Sequence, residues 1–270
     1  MKNTRKPCTS PYLAVLLVVA STLPGALSAQ ESSGGDLAQA NNPLASFNTL
    51  NFQNQYNGGL TGLDDETSNS FFLRGALPVS AFGGDWLVRA TLPVNNVPTL
   101  GDSVTGIGDF NVFAAYLIDT GNPGLSFGVG PQITAPTATE DETGTGKWSA
   151  GLANVLFNYK NPNLQWGYLL TWQASFAGDE DRADVNNAAF QPLIIRQLGK
   201  GWYARSTAIW TYDFETDNYN IPLGLGLGKV IKTDRAIVNA FVEPQYSVAS
   251  SGDGLPEWGV FAGVNFQFPK

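Results

Sequence analysis

The sequence contains no histidine. That removes the side chain that titrates near neutral pH, and with it Ser–His triads, imidazole acid–base catalysis and His-ligated zinc. The one cysteine, Cys8, precedes an apolar run at 13–20. Residues 1–29 read as a signal peptide. Lys2, Arg5 and Lys6 form a basic start, and Ala26-Leu27-Ser28-Ala29 a small-residue cleavage region. Cleavage there removes Cys8 and leaves no thiol for a disulfide, a nucleophile or a metal. Charge is scarce: 14% of residues are Asp, Glu, Lys or Arg, against about 25% in a typical soluble domain. The balance is acidic, 23 against 15 for a net −8, so no nucleic-acid partner is expected. Long apolar runs are also missing. The run at 13–20 is too short for a membrane-spanning helix, which needs ~20 residues.

Low charge without long apolar runs suits a chain that hides its apolar residues in alternation. Twelve strands are predicted, at 46–57, 68–79, 85–95, 106–118, 124–134, 146–159, 163–176, 185–197, 200–212, 219–230, 234–247 and 256–268. In the third, Trp86, Val88, Ala90, Leu92 and Val94 share one face, and Arg89, Thr91 and Asn95 the other. In the seventh, Trp166, Tyr168, Leu170 and Trp172 oppose Gln165, Gly167, Thr171 and Gln173. Period two is the strand signature. Short turns alternate with longer loops at 58–67, 96–105, 135–145, 177–184, 213–218 and 249–255. Those loops hold most of the acid, including Asp64, Asp65, Glu66, Glu140, Asp141, Asp181 and Asp217. Lys160, Lys200 and Lys232 fall at short turns. This is the pattern of an all-β, transmembrane, antiparallel up-and-down β-barrel of about twelve strands, apolar outside and polar inside. The barrel is expected to occupy 46–270, after a flexible or plug-like segment at 30–45, in the outer membrane of a Gram-negative cell. Pro78, Pro93, Pro131, Pro192, Pro222 and Pro244 fall inside strands, so they are expected near strand ends or bulges.

Charges inside the strands are the candidate lumen lining: Arg74, Arg89, Asp109, Arg196, Arg205 and Glu243. A cation facing lipid at mid-membrane costs ~2–4 kcal/mol, so such residues are expected to face inward. Two roles stay open for them. They form ion-pair ladders that pack a narrow interior, or the arginines line a constriction that favours anions. No catalytic, cofactor-binding or metal-binding residue is assigned, and no enzyme activity is expected. Gly224-Leu225-Gly226-Leu227-Gly228-Lys229 has the wrong spacing for a phosphate-binding loop, and no Ser or Thr follows the lysine. Its leucines are expected to face lipid and its glycines the lumen. The acidic stretch 177–184 reads as a solvated loop, with divalent-cation binding as the alternative. The seven tryptophans read as interfacial girdles.

Several motifs resemble one family. They are Asn42-Pro43-Leu44-Ala45 with Phe52-Gln53-Asn54; Gly106-Ile107-Gly108-Asp109-Phe110; Pro136-Thr137-Ala138-Thr139 with Gly144-Thr145-Gly146-Lys147-Trp148; Phe176-Ala177-Gly178-Asp179 with Arg182-Ala183-Asp184-Val185-Asn186; Pro222-Leu223-Gly224 with Gly228-Lys229; and the ending Phe266-Gln267-Phe268-Pro269-Lys270. Together they resemble bacterial outer-membrane proteins of the MetA-pathway phenol-degradation type. The resemblance implies a porin-like or transporter-like barrel. The expected work is passive passage of small solutes. The alternative is a structural or surface-interaction barrel without an open pore. It implies no cofactor and no substrate. Expected partners are outer-membrane lipid and lipopolysaccharide, the barrel-assembly machinery during insertion, and a small solute.

Overall fold

The computed structural model describes residues 39–99 and 101–268. The expected signal peptide, 1–29, and the first part of the expected 30–45 segment lie outside them. Twelve strands follow one another: β1 (Asn48–Leu60), β2 (Leu63–Ala81), β3 (Gly84–Thr99), β4 (Asp102–Ile107 and Phe110–Ile118), β5 (Leu125–Ala135), β6 (Lys147–Asn158), β7 (Leu164–Gly178), β8 (Asn186–Gly199), β9 (Trp202–Ser206 and Trp210–Asp213), β10 (Tyr219–Gly224 and Gly226–Lys232), β11 (Ile237–Ser251) and β12 (Pro256–Phe268). Each pairs antiparallel with its sequence neighbours. β12 also pairs with β1, from Asn48↔Phe268 to Leu60↔Pro256, so the sheet closes into a barrel. The twelve strands are those the alternation predicts.

Period two sorts the side chains. Leu50, Phe52 and Tyr56 of β1, Leu170 of β7, and Leu223, Leu225 and Leu227 of β10 all stand exposed on the outer face. An exposed apolar belt on a closed barrel is a lipid-facing surface. Trp86, Trp166 and Trp202 lie toward the short-turn end, and Trp148, Trp210 and Trp258 toward the loop end. They form two girdles where amphipathic rings meet the membrane interfaces. Trp86 meets Tyr116 edge-on at 5.1 Å.

Two sequence expectations change. The segments 58–67 and 96–105 are tight hairpins rather than long loops. β1 and β2 stay paired to Leu60↔Leu63, and β3 and β4 to Thr99↔Asp102. Gly62 and Gly101, at φ +73° and +90°, supply the left-handed backbone that such turns need. The acidic run 64–66 therefore lies in β2. In addition, β4, β9 and β10 are each interrupted once. Every interruption lies beside a proline, which cannot donate to the ladder. Gly108 of β4 bonds to Pro93 O, and Leu225 of β10 to Pro244 O. The gap at 207–209 in β9 lies beside Pro192, between the pairs Ser206↔Ile194 and Trp210↔Phe190. Pro222 sits at a register shift.

The interior is not uniformly polar, as the alternation alone suggests. In the half near the short turns, Phe157, Leu193, Ile195, Tyr203, Phe241 and Phe261 point inward and pack around Ala40. Leu44 packs against Ala76, Leu87, Val155 and Leu169. Residues 39–47 thus run inside the barrel. Gln267 Nε2 donates to Ala40 O at 2.7 Å, and Asn239 Nδ2 to Asn41 Oδ1 at 3.0 Å. Asn239 Oδ1 in turn accepts from Tyr203 Oη at 2.6 Å.

Candidate functional site

Above the docked segment, the inward strand charges gather at mid-barrel. Glu243 of β11 is fully buried. Its carboxylate accepts from Arg205 Nε of β9 at 2.7 Å, from Thr207 N at 2.8 Å and from Thr207 Oγ1 at 2.8 Å. Arg205 Nη2 also donates to Thr207 Oγ1. Only β10 stands between β9 and β11, and its glycines make the reach possible. A Cβ on Gly224 would stand 2.2 Å from Glu243 Oε1, and one on Gly228 would stand 2.2 Å from the Tyr203 ring. The glycine track is a groove filled by neighbouring side chains. It also explains the gap in β9: at Thr207 the carboxylate takes the amide, and Gln191 Nε2 supplies a donor to the carbonyl at 3.0 Å. Arg205 lies 3.7 Å over the Phe241 ring. This pair is buried, neutralised and hydrogen-bonded, as a buried ion pair must be.

Arg74 and Arg89 are different. They are diagonal neighbours on one face, Arg74 opposite Thr91 and Arg89 opposite Ala76, a separation of ~7–8 Å in such pairs. Arg74 Nη1 donates to Gln53 Oε1 at 2.6 Å. Each guanidinium lies 4.4 Å over an aromatic ring, Arg74 over Phe72 and Arg89 over Phe113. The Nε atoms of both are buried without a hydrogen-bond partner. Among the described residues the ion pairs are Arg205–Glu243 and Lys147–Asp184, so neither Arg74 nor Arg89 meets a carboxylate.

Two cavities meet there. An inner one of about 170 Å³ is bounded by Ala40, Asn41 and Pro43 of the docked segment and by Arg74, Arg89 and Arg205. An outer one of about 260 Å³ is bounded by Phe72, Ile209, Pro222, Leu255 and Gln245 among others. Arg74, Thr207 and Phe261 border both.

The other two candidates lie elsewhere. Arg196 shares the parity of Ile194 and Leu198, both exposed, and is itself exposed near the short-turn end of β8. It lies on the outer face and leaves the lumenal set, because a long cation near a strand end reaches the polar interface. Asp109 sits under the 136–146 loop near the outer rim. Its carboxylate accepts from Thr145 N and Thr145 Oγ1, both at 2.7 Å, and from Ala138 N at 3.3 Å. Arg182 Nη2 donates to the carbonyls of Asp141 and Gly144 at 2.5 and 2.6 Å. Thr143 Oγ1 donates to Ile107 O at 2.9 Å. Three sequence motifs far apart in the chain thus join in one loop clamp. Polarity in the sequence does not mark the aromatic partners of the arginines or the inward apolar residues. Their lumenal parity, readable from the neighbouring arginines, is the signal that marks them.

No protein-family model matches the chain, and no curated protein matches it. Solved structures do. The COG4313 outer membrane channel from Pseudomonas putida F1 superposes with a TM-score of 0.64 at 12% identity, covering 83% of this chain and 97% of that one. The NanC porin gives a TM-score of 0.53 at 10% identity, covering 82% and 100%. At these identities the likeness is one of fold. The closed sheet, the apolar belt and the girdles belong to a β-barrel of the outer membrane.

Proposed function

We propose that this barrel is a narrow outer-membrane channel for passive passage of small solutes, with a preference for anions. The observation that carries the reading is the pair Arg74 and Arg89, which no described carboxylate neutralises; both line the inner lumenal cavity, and Arg74 borders the outer one as well. Fixed lumenal cations act on an ion at close quarters, while charges on the acidic outer loops are screened over ~8–10 Å. Likeness of fold to an outer membrane channel and a porin supports the general reading. Membership of the MetA-pathway phenol-degradation type is part of the proposal, and it rests on the motifs that meet in the loop clamp. The docked residues 39–47 act as a plug that narrows the inner half.

The packed inner half also favours a second reading, a barrel with no open pore. Purified protein in planar bilayers separates the two. The channel reading expects conductance with reversal potentials favouring anions. Replacing Arg74 and Arg89 together by Gln should move those potentials toward cations, and deleting residues 30–45 should raise the conductance. Absence of conductance in the parent and in the deletion variant would overturn the channel and leave the sealed barrel.

A further inference from the structure

The surroundings of Arg74 and Arg89 say more than that they are positive. Two half-buried cations on diagonal positions repel each other, and burying charge without a counter-charge is costly. The second charge cluster on this barrel wall meets that cost internally, since Arg205 has Glu243 at 2.7 Å. For Arg74 and Arg89 no described carboxylate does so. Their unpartnered Nε atoms are buried, and the inner cavity touches both residues. A guanidinium presents its donors in a planar fork, which matches a carboxylate better than a spherical ion.

The outer cavity adds the second half of a recognition element. Arg74 stands at its inner end. Beside it Phe72, Ile209, Pro222, Leu255 and Phe261 form an apolar patch, while Gln55, Asn57, Thr211, Asn220, Gln245 and Ser247 line much of the rest. A hydrated inorganic anion gains nothing from such a patch. A neutral apolar solute gains nothing from the guanidinium pair. A molecule with both features gains from each, because apolar area leaves water at one end while charge is matched at the other.

We propose that the lumen binds a small amphipathic carboxylate, with its head on Arg74 and Arg89 and its apolar body against Phe72, Ile209, Pro222 and Phe261. The proposal deepens the anion-channel reading and names the class of solute.

Isothermal titration of the full-length mature protein in detergent tests it, because binding does not require conduction. Sodium benzoate is the probe; sodium acetate lacks the apolar body and benzyl alcohol lacks the charge. Benzoate should bind at least tenfold tighter than either. Arg74→Gln with Arg89→Gln should lower benzoate affinity tenfold or more. Ile209→Asn should bring benzoate down toward acetate while leaving acetate unchanged, a pattern that misfolding does not produce. Equal binding of acetate and benzoate would overturn the apolar half. Benzyl alcohol binding as tightly as benzoate, or an unchanged affinity in the double arginine variant, would overturn the anionic half. No benzoate binding to the parent would overturn the whole. Benzoate binding without conductance keeps this site and sinks the channel; anion-selective conductance without benzoate binding does the reverse.

Discussion

Near the short turns, Phe157 and Tyr203 are 0% and 1% exposed and pack with Ala40 in the lumen. Near the long loops, inward positions belong to groups such as Gln132, Thr134 and Gln173. There Thr134 Oγ1 donates to Gln173 Oε1 at 2.7 Å, and Gln132 Nε2 to Trp172 O at 2.9 Å. The same two-residue period builds both interiors. What differs is cover. The inner half is filled by residues 39–47, so its polar groups must be satisfied internally and apolar contact dominates. The outer half faces the mouth of the barrel, where side-chain hydrogen bonds and water can serve polar groups. Arg74, Arg89, Arg205 and Glu243 stand at the border between the two.

One pair of substitutions tests that contrast directly. Phe157→Ala in the packed half should cost ~3–5 kcal/mol, the range for a fully buried aromatic that leaves a cavity. Gln132→Ala in the polar half should cost ~0.5–1.5 kcal/mol, the net value of a hydrogen bond. Urea titration of both variants in detergent micelles reads the difference. Equal losses would erase the distinction between the halves.

A smaller and more local effect sharpens the description of the outer half. Asp109 holds the 136–146 loop by three hydrogen bonds from residues 138 and 145. Asn in its place keeps the shape but removes the charge, and hydrogen bonds to a charged group contribute ~1.5–3 kcal/mol. That loss should appear as faster proteolysis within the loop, with the midpoint for unfolding of the barrel nearly unmoved. A large drop in that midpoint would mean that the clamp supports the whole barrel.

The sequence makes the barrel legible because alternation and turn spacing report on the backbone directly. It also puts Arg74 and Arg89 on the polar faces of their strands, Arg89 together with Thr91 and Asn95. Polarity alone misplaces Arg196, whose parity with Ile194 and Leu198 sets it on the outer face at a strand end. The interruptions were readable in part. Pro93, Pro192 and Pro244 are prolines inside predicted strands, and the neighbouring strand is the one that breaks. The joining of Arg205 to Glu243 across β10 depends on which strands are neighbours once the barrel has closed. The glycines at 224, 226 and 228 mark a groove, but not what fills it. Polarity groups Asp109 with the lumenal charges, and parity says nothing about how the distant 136–146 loop folds back onto it.

The smallest expected effect lies at the outer rim and depends on pH. Lys147 is nearly buried at the start of β6, and its Nζ lies 3.2 Å from Asp184 Oδ1. That hydrogen bond and charge hold the Asp184 carboxyl below its ordinary value, with a further contribution from Ser175 Oγ. A carboxylate with a depressed folded-state pKa stabilises the folded state above its unfolded pKa, ~3.9 for Asp, and the contribution is lost as pH falls through the folded value. Between pH 7 and 5 the 179–185 loop should therefore hold its position. Below about pH 4 it should loosen, and an acid-active protease should cut it faster. Asp184 is largely exposed, so the pair is screened by salt and the effect should shrink at high ionic strength. Lys147→Gln should give the loosened pattern already at pH 7. If cleavage in that variant matches the parent at neutral pH, the hydrogen bond from Asp179 N to Gly146 O at 3.1 Å, not the ion pair, is what holds the rim.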